Sequence, residues 1–422
     1  MPNLVPEEQR LFAVDVVRRL RAAGFQAYWA GGCVRDQLMG RTPKDYDVAT
    51  DAVPPQIRRV FGRRRTVPVG AAFGVITVLG PRGAGQIEVA TFRRDATYSD
   101  GRHPDSVAFS TAREDASRRD FTINGLFFDP IREEVIDFVG GEEDLASRVI
   151  RAIGDPRSRF GEDKLRLLRA VRFSATLAFT LEAETLAAIR QMAQEITVVS
   201  PERIAAEMQR MLVEPGRSTA VRLLLETNLA AAVLPEIVPA DLPGERRLDH
   251  TLAVLDRLQE PGFALALAAL LCPAVDPAGA DRVCKRWRLS NHQRDRVCWL
   301  VEHHRSLENA SSRAWSKVQR VLIAEGIVDL LALWQAVALA GSGDTSEIAW
   351  CRAKLAEPRE VLDPPPLLTG DDLIRHRVPP GPAYRLLLDR VRDAQLDNAI
   401  HTQDDALALV DRLLEEGARG ER

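Results

Sequence analysis

Two aspartates carry the most specific chemistry in this chain of 422 residues. Asp45 and Asp47 stand two apart in Asp45-Tyr46-Asp47-Val48-Ala49-Thr50, which reads as a strand, so both carboxylates are expected on one face. Carboxylates side by side repel unless a cation lies between them, and hard oxygen ligands suit Mg²⁺. Upstream, Gly31-Gly32 lead into Cys33-Val34-Arg35-Asp36. Glycines after a strand let the backbone approach a ligand closely, and the N–H groups of a following helix start face phosphate oxygens. Arg35 is placed to reach the same anion. An Asp-x-Asp pair alone also suits a turn, a solvated strand face or a nucleotide-sugar glycosyltransferase. The glycine–arginine segment at this spacing is what points to a metal-bound polyphosphate. Farther along, Asp163, Arg166, Arg169 and Arg172 recur every three residues, a slowly winding stripe expected on one helix, with Leu167, Leu168 and Val171 opposite. By itself such a stripe is a solvated charged face. Glu88 fits a third active-site carboxylate and fits equally an edge-strand glutamate in water, so it stays outside the candidate set.

The elements that must hold these residues follow from periodicity. Residues 11–20 carry apolar side chains at helical spacing and stop at Ala22-Ala23-Gly24. Ala27-Tyr28-Trp29-Ala30 reads as a strand running into the glycines, and the pattern to about residue 137 is mostly strand-like. A hairpin is predicted between residues 75–79 and 87–92, around Gly80-Pro81-Arg82-Gly83-Ala84-Gly85. After Gly140-Gly141 nearly everything has helical period, with breaks near Pro201, Pro215, Pro235, Pro243 and Pro261. Asp363-Pro364-Pro365-Pro366 is a stiff linker before a last helical segment. The expectation is an α+β chain: a small mixed-sheet head at 1–140, a helical neck at 141–230, a helical body at 231–362 and a helical tail at 363–422.

Composition narrows the classes. Hydrophobic residues make up 45% and charged residues 28%, which excludes a mainly disordered chain. Net charge is −3, so nucleic acid would have to meet a local basic patch. Arg58, Arg59, Arg63, Arg64 and Arg65 form one such run, a solvated face or a means of steering substrate. The cysteines (Cys33, Cys272, Cys284, Cys298, Cys351) are scattered, odd in number and lack a C-x-x-C pair. That argues against a disulfide framework or zinc ribbon and for a reducing compartment. The N-terminal residues lack an apolar stretch, and the longest apolar run, 263–272, is about half the ~20 residues of a membrane span. A cytoplasmic protein with no membrane contact is expected.

The segment GGCVRDQLMGRTPKDYDVAT resembles the first motif of the class II tRNA nucleotidyltransferase and bacterial poly(A) polymerase family, within the polymerase β-like superfamily. The likeness continues in order. Arg118-Arg119-Asp120-Phe121-Thr122-Ile123-Asn124-Gly125-Leu126 resembles the second motif, which contacts the ribose of the incoming nucleotide, with Gly125 where alanine is usual. Residues 150–154 with Arg159-Phe160 resemble the hinge motif, and Glu162-Asp163-Lys164-Leu165-Arg166 with Arg169 and Arg172 the base-reading motif. Pro201-Glu202-Arg203-Ile204 with Glu207 is similar to the last motif, which braces that helix. The resemblance implies a polymerase β-like head, with Asp45 and Asp47 as catalytic Mg²⁺ ligands. It places Gly31, Gly32 and Arg35 at the phosphates, Arg119 and Asp120 at the sugar, and Asp163, Arg166, Arg169 and Arg172 at the base. An Asp accepts from an exocyclic amine and an Arg donates to the neighbouring ring acceptor; cytosine and adenine present that edge, whereas uracil and guanine do not.

The implied reaction is addition of C, C and A to the 3′ end of tRNA from CTP and ATP, without a template. Relatives that add only A, or that make poly(A), share the same motifs and stay open. Val67-Pro68-Val69-Gly70-Ala71-Ala72-Phe73-Gly74-Val75 is like the CCA-adding branch, and residues 93–117 look like the loop that switches such enzymes from C to A. Residues 370–374 and Pro379-Pro380-Gly381-Pro382 resemble a tail that reads the tRNA elbow through phosphate and sugar. A metal phosphohydrolase is the competing reading for Asp249-His250, but Cys272-Pro273 stands where its His-Asp pair belongs, so the segment is read as a structural remnant, with His303 and His304 on a helical surface or tRNA contact. A non-catalytic RNA-binding protein is the remaining alternative. It has no use for Asp45, Asp47, Arg119, Asp163 and Arg166 together.

Overall fold

The structure is a computed structural model whose described residues are 5–95, 107–239, 242–341, 343–379, 381 and 383–420. The chain forms two compact units, Met1–Val238 and Pro239–Arg422. The first is built on a seven-stranded mixed sheet, and its later part is helical, as expected for an α+β chain.

The strands are β1 (Ala27–Ala30), β2 (Asp47–Thr50), β3 (Thr66–Gly70), β4 (Val75–Leu79), β5 (Gln86–Thr91), a short pair β6 (Arg93–Asp95) and β7 (Val107–Phe109), then β8 (Phe127–Asp129) and β9 (Glu134–Ile136). Spatial order in the main sheet is β3-β4-β5-β2-β1-β8-β9, with β6 and β7 paired separately. Only β2 and β5 run parallel within that sheet, pairing Asp47 with Glu88 and Thr50 with Thr91. Alternation divides the sheet into two faces. Val48, Val89, Ile76, Val78 and Ile87 are buried in one core with helix α1 (Pro6–Ala22). Helix α1 begins with Pro6 in its first turn beside Glu7 and Glu8 and ends beside Arg19 and Arg21, charges that complement its dipole.

The stretch expected to be mostly strand contains helices as well. Residues α2 (Gly32–Leu38) follow the paired glycines, and α3 (Pro54–Phe61) starts on proline, with Gln56 Oε1 accepting from the Val53 N–H at 2.9 Å. Pro54, Ile57 and Phe61 are its buried positions, a helical spacing hidden among strands. Helix α4 (Ala112–Ser117) opens with a Thr111–Glu114 capping box. Of the segment expected to switch between nucleotides, residues 96–106 lie outside the described residues.

Helices α5 (Gly141–Ser147), α6 (Pro156–Glu162), α7 (Leu165–Leu177), α8 (Ala183–Met192), α9 (Pro201–Val213), α10 (Arg217–Glu226) and α11 (Leu229–Val233) complete this unit. Leu167, Leu168 and Val171 on α7 are fully buried, as their spacing predicts. A two-stranded parallel pair, β10 (Val149–Ile150) and β11 (Thr180–Leu181), closes the base of α7.

The second unit is helical throughout its described residues. Helix α12 (Leu242–Arg257) is followed by α13 (Phe263–Leu271), apolar on every side and buried at all but Ala264, so the longest apolar run is a core helix. Later come α14 (Pro277–Arg286), α15 (Asn291–His303), α16 (Trp315–Leu322), α17 (Ile327–Ala340), α18 (Ser346–Leu355) and α19 (Arg359–Leu362). The final helices are α20 (Gly370–Arg375), α21 (Ala383–Leu396) and α22 (Gln403–Gly420), whose core includes Leu373, Leu387, Val391 and Val410. The proline linker is pinned to α21: Arg392 Nη2 reaches Asp363 Oδ1 at 2.8 Å and Gln395 Nε2 donates to the Pro365 carbonyl at 2.7 Å. Among the described residues no single helix is long and apolar enough to cross a membrane.

Candidate active site

A cavity of about 620 Å³ in the first unit gathers every residue singled out for chemistry. It is lined by the glycines before α2, the two aspartates at β2, the segment after α4, and α7 with its braces. Seven arginines and four aspartates face it, a surplus of positive charge suited to a polyphosphate.

Asp47 is the first residue of β2, whereas Asp45 lies in the bend before it. The expectation that both sit on one strand is therefore corrected, although both line the cavity. The bend arises because the strand forms only where Asp47 pairs with Glu88 on β5. That register also puts Glu88 beside Asp47. Asp47 is exposed to the solvent-filled cleft, yet desolvation by the protein around it and the charges of Asp45 and Glu88 push its carboxyl up to about 6, against the opposing pull of Arg119. Repulsion among three carboxylates is the electrostatic signature of a site for a cation. No three His, Cys, Asp or Glu side chains converge into a full cage among the described residues. Mg²⁺ needs none, since it takes one or two carboxylates together with water and substrate phosphates. The donor set fits.

At the glycines before α2, Gly31 has φ 75° and a Cβ there would sit 2.7 Å from Arg119 Nη1. Glycine lets that guanidinium lie against the backbone. Arg35 is nearly buried; its Nη1 donates to Asn124 Oδ1 at 2.9 Å and its Nε to Asp36 Oδ1 at 2.9 Å. Asn124, which the sequence reading did not single out, thus links the first motif to the second. Its Nδ2 also donates to Asp120 Oδ1 at 3.0 Å.

Asp120 is buried, and its other oxygen accepts from Arg169 Nε and Nη2 at 2.8 and 2.6 Å. Burial alone would raise its pKa, but Arg169, Asn124 and Arg166 outweigh it and hold the carboxyl down at about 2. Arg119 is aimed by Asp115, a residue also missed: Nε and Nη2 of Arg119 approach Asp115 Oδ2 at 3.3 and 3.2 Å, while Asp115 Oδ1 accepts from Arg118. The signal was an acid three and four residues before two arginines, a one-turn helical spacing.

The charged stripe is not confined to one helix. Asp163 stands ahead of α7 in extended conformation (φ −144°, ψ 105°), where its Oδ1 accepts from the Leu165 N–H at 3.0 Å. Aspartate at a helix start satisfies an otherwise orphaned N–H, which is why the helix begins after it. Nor is the stripe a solvated face. Arg203 on α9 donates to Asp163 Oδ2 at 2.7 Å, and Arg172 donates to Glu207 Oε2 at 2.6 Å. Arg166, 8% exposed, gives Nη1 to Glu162 and the Arg159 carbonyl, and Nη2 to the Arg118 carbonyl. Arg159 Nη2 donates likewise to the Ser117 carbonyl at 2.7 Å. Phe173 underlies three of the guanidiniums, with Arg172, Arg169 and Arg35 at 4.0, 5.3 and 5.3 Å from its ring centre.

In the second unit, His303 Nδ1 bonds the Trp299 carbonyl and its ring stacks on Trp299 at 4.6 Å, while His304 Nδ1 meets the Val301 carbonyl; both are turned toward their own helix.

Three family descriptions match the chain: Poly A polymerase head domain over residues 27–151, "Probable RNA and SrmB- binding site of polymerase A" over 178–241, and tRNA nucleotidyltransferase domain 2 over 264–410. Among curated relatives, a CCA-adding enzyme of Anoxybacillus flavithermus is 40% identical over 304 residues, covering 71% of this chain and 73% of its own. One from Lactobacillus johnsonii is 32% identical over 400 residues, 94% of this chain and 95% of its own. Among solved structures, the Bacillus stearothermophilus CCA-adding enzyme in complex with CTP superposes with a TM-score of 0.75 at 27% identity, over 96% of this chain and 98% of that one. Motifs in order, a cavity that collects them and relatives aligned nearly end to end lead to one assignment: the chain belongs to the CCA-adding tRNA nucleotidyltransferase and bacterial poly(A) polymerase family.

Proposed function

We propose that this protein adds C, C and A to the 3′ end of tRNA from CTP and ATP, releasing pyrophosphate. The observation that carries the reading is the single cavity in which Asp45 and Asp47 face Asp163 and Arg166. Relatives similar along almost the whole chain are CCA-adding enzymes, which supports it. In this reading Asp45 and Asp47 hold Mg²⁺, which when bound lowers the pKa of the attacking 3′-hydroxyl and neutralises charge on the triphosphate. Gly31, Gly32 and Arg35 receive the phosphates and Arg119 the sugar. Asp120, already bonded to Arg169 and Asn124, positions those side chains rather than meeting the sugar itself.

The base is read by groups held ready before it arrives. Asp163 has used one bond on each oxygen, so lone pairs remain for an exocyclic amine. Three of Arg166's five N–H donors are committed to Glu162 and two carbonyls, which leaves two for the base. Their partners set their direction, so the template costs little reorganisation when the nucleotide binds. The reading also assigns residues 1–140 to nucleotidyl transfer, 141–230 to the base-reading neck, and 231–362 with 363–422 to the tRNA body, in a cytoplasmic protein.

A denaturing gel of end-labelled tRNA transcript ending at the discriminator base tests this. CTP alone should add two residues, CTP with ATP three, and Asp47→Ala none while still binding tRNA. Growth beyond three residues with ATP would mean poly(A) polymerase. Failure to use CTP would mean an A-adding enzyme.

A further inference from the structure

One edge of the main sheet carries positive charge that no other described residue pairs with. Gly62, at φ 85°, turns the chain out of α3 into one turn of 3₁₀ helix, Arg63–Arg65, which leads into edge strand β3. All three arginines are exposed, and among the described residues none of their guanidiniums has a carboxylate within ion-pairing distance or a hydrogen-bonded partner. Arg59, one turn earlier, is exposed in the same way. The contrast with the cavity is sharp, since Arg35, Arg119, Arg166, Arg169, Arg172 and Arg203 are each bonded to an acid or a carbonyl.

Register shows where this cluster lies relative to the chemistry. Asp47 pairs with Glu88, Glu88 with Thr77, and Thr77 with Val67, so these four form one row across β2, β5, β4 and β3 with side chains on one face. Val67 is the second residue of β3, which puts Arg63–Arg65 at the Asp45 end of the sheet. Three strand spacings of about 4.8 Å separate Asp47 from Val67, roughly 14 Å, or about four nucleotides of a stacked strand at 3.4 Å each. Along that face Leu79, 37% exposed, and Glu88 are open to solvent.

Resting on the function proposed above, we propose that the Arg63–Arg65 turn and the β3 edge dock the phosphates of the tRNA acceptor arm as its 3′ end reaches Asp47. The occupant is identified by charge: unpaired, exposed guanidiniums on a chain of net charge −3 match a phosphate backbone, and phosphate contacts position a nucleic acid without reading its sequence.

The test uses the full chain and the triple variant Arg63→Glu, Arg64→Glu, Arg65→Glu, with an Arg→Ala triple at the same positions. Thermal melts establish that each folds like the wild type. Kd for a tRNA transcript lacking CCA should rise at least tenfold at about 0.1 M salt in the glutamate triple and severalfold in the alanine triple. The slope of log Kd against log salt should shrink by about 2 in the alanine triple. A minihelix carrying only the acceptor and T arms should show the same losses. KM for CTP and for ATP, and kcat at saturating RNA, should stay within twofold of wild type. Unchanged Kd and slope would overturn the proposal, as would a rise in nucleotide KM with RNA affinity intact. Loss with whole tRNA but not the minihelix would overturn the acceptor-arm assignment, and weakening by the glutamate triple alone would show long-range repulsion instead of contact. Wild-type protein that fails to extend the transcript would refute the proposed function itself, a result independent of these variants.

Discussion

Two ion pairs decide how the cavity behaves. The Asp120 carboxyl lies at about 2 in the folded protein, below its ordinary value of 3.8. As pH falls, the unfolded chain therefore takes up that proton first, so the stabilisation is complete at neutral pH and fades between pH 4 and 2. Asp120→Asn should cost about 2 kcal/mol at pH 7 by urea unfolding, and the gap to wild type should close across that acid window. A gap that stayed constant with pH would show that ionisation of Asp120 is not its source. The second pair is Arg203 with Asp163. Since Arg203 holds one Asp163 oxygen at 2.7 Å, Arg203→Ala should leave the carboxylate held by the Leu165 N–H alone. Discrimination of CTP over UTP, taken as the ratio of kcat/KM values, should fall roughly tenfold, about 1.4 kcal/mol. Equal losses for both nucleotides would mean that Arg203 supports the fold and not the choice of base.

At the scale of elements, glycine packing yields a result that runs against family habit. A Cβ on Gly125 would lie 2.6 Å from Val139 Cγ2 and 3.2 Å from Ile153 Cδ1. Gly125→Ala, though it restores the residue usual at that place, should therefore destabilise by about 1–3 kcal/mol through overpacking, read as a lower Tm. Pairing it with Val139→Ala should recover most of the loss. Much of the architecture was legible beforehand: the strands at 27–30 and 75–79 stand between turn residues, and Leu167, Leu168 and Val171 mark the buried face of α7. What could not be read was the partner of each charge. Asp163 and Arg203 are 40 residues apart and Asp120 and Arg169 49 apart, and only the tertiary fold joins them. The helix start was misplaced for a local reason, because period three continues smoothly through Asp163 although its carboxylate caps the turn that follows. Helix α3 was hidden because eight residues hold barely two turns of pattern.

For the whole molecule, the question is how one cavity serves first a pyrimidine and then a purine. Shortening the 93–117 segment should stop the product at CC, seen on the transcript gel, whereas A addition by such a deletion would refute a switching role. The route by which that segment can reach the proposed base readers is visible at its far end, where the Ser117 and Arg118 carbonyls accept from Arg159 and Arg166. Because both acceptors belong to the backbone, side-chain replacement at 117 or 118 leaves the link in place. Its specification lies in phase: adding or removing one residue within the six of α4 rotates everything after it by about 100° and carries both carbonyls away from their arginines. Length outside the helix is free to drift, while length inside it is counted residue by residue, so in related chains insertions and deletions should accumulate before Thr111 and stop there.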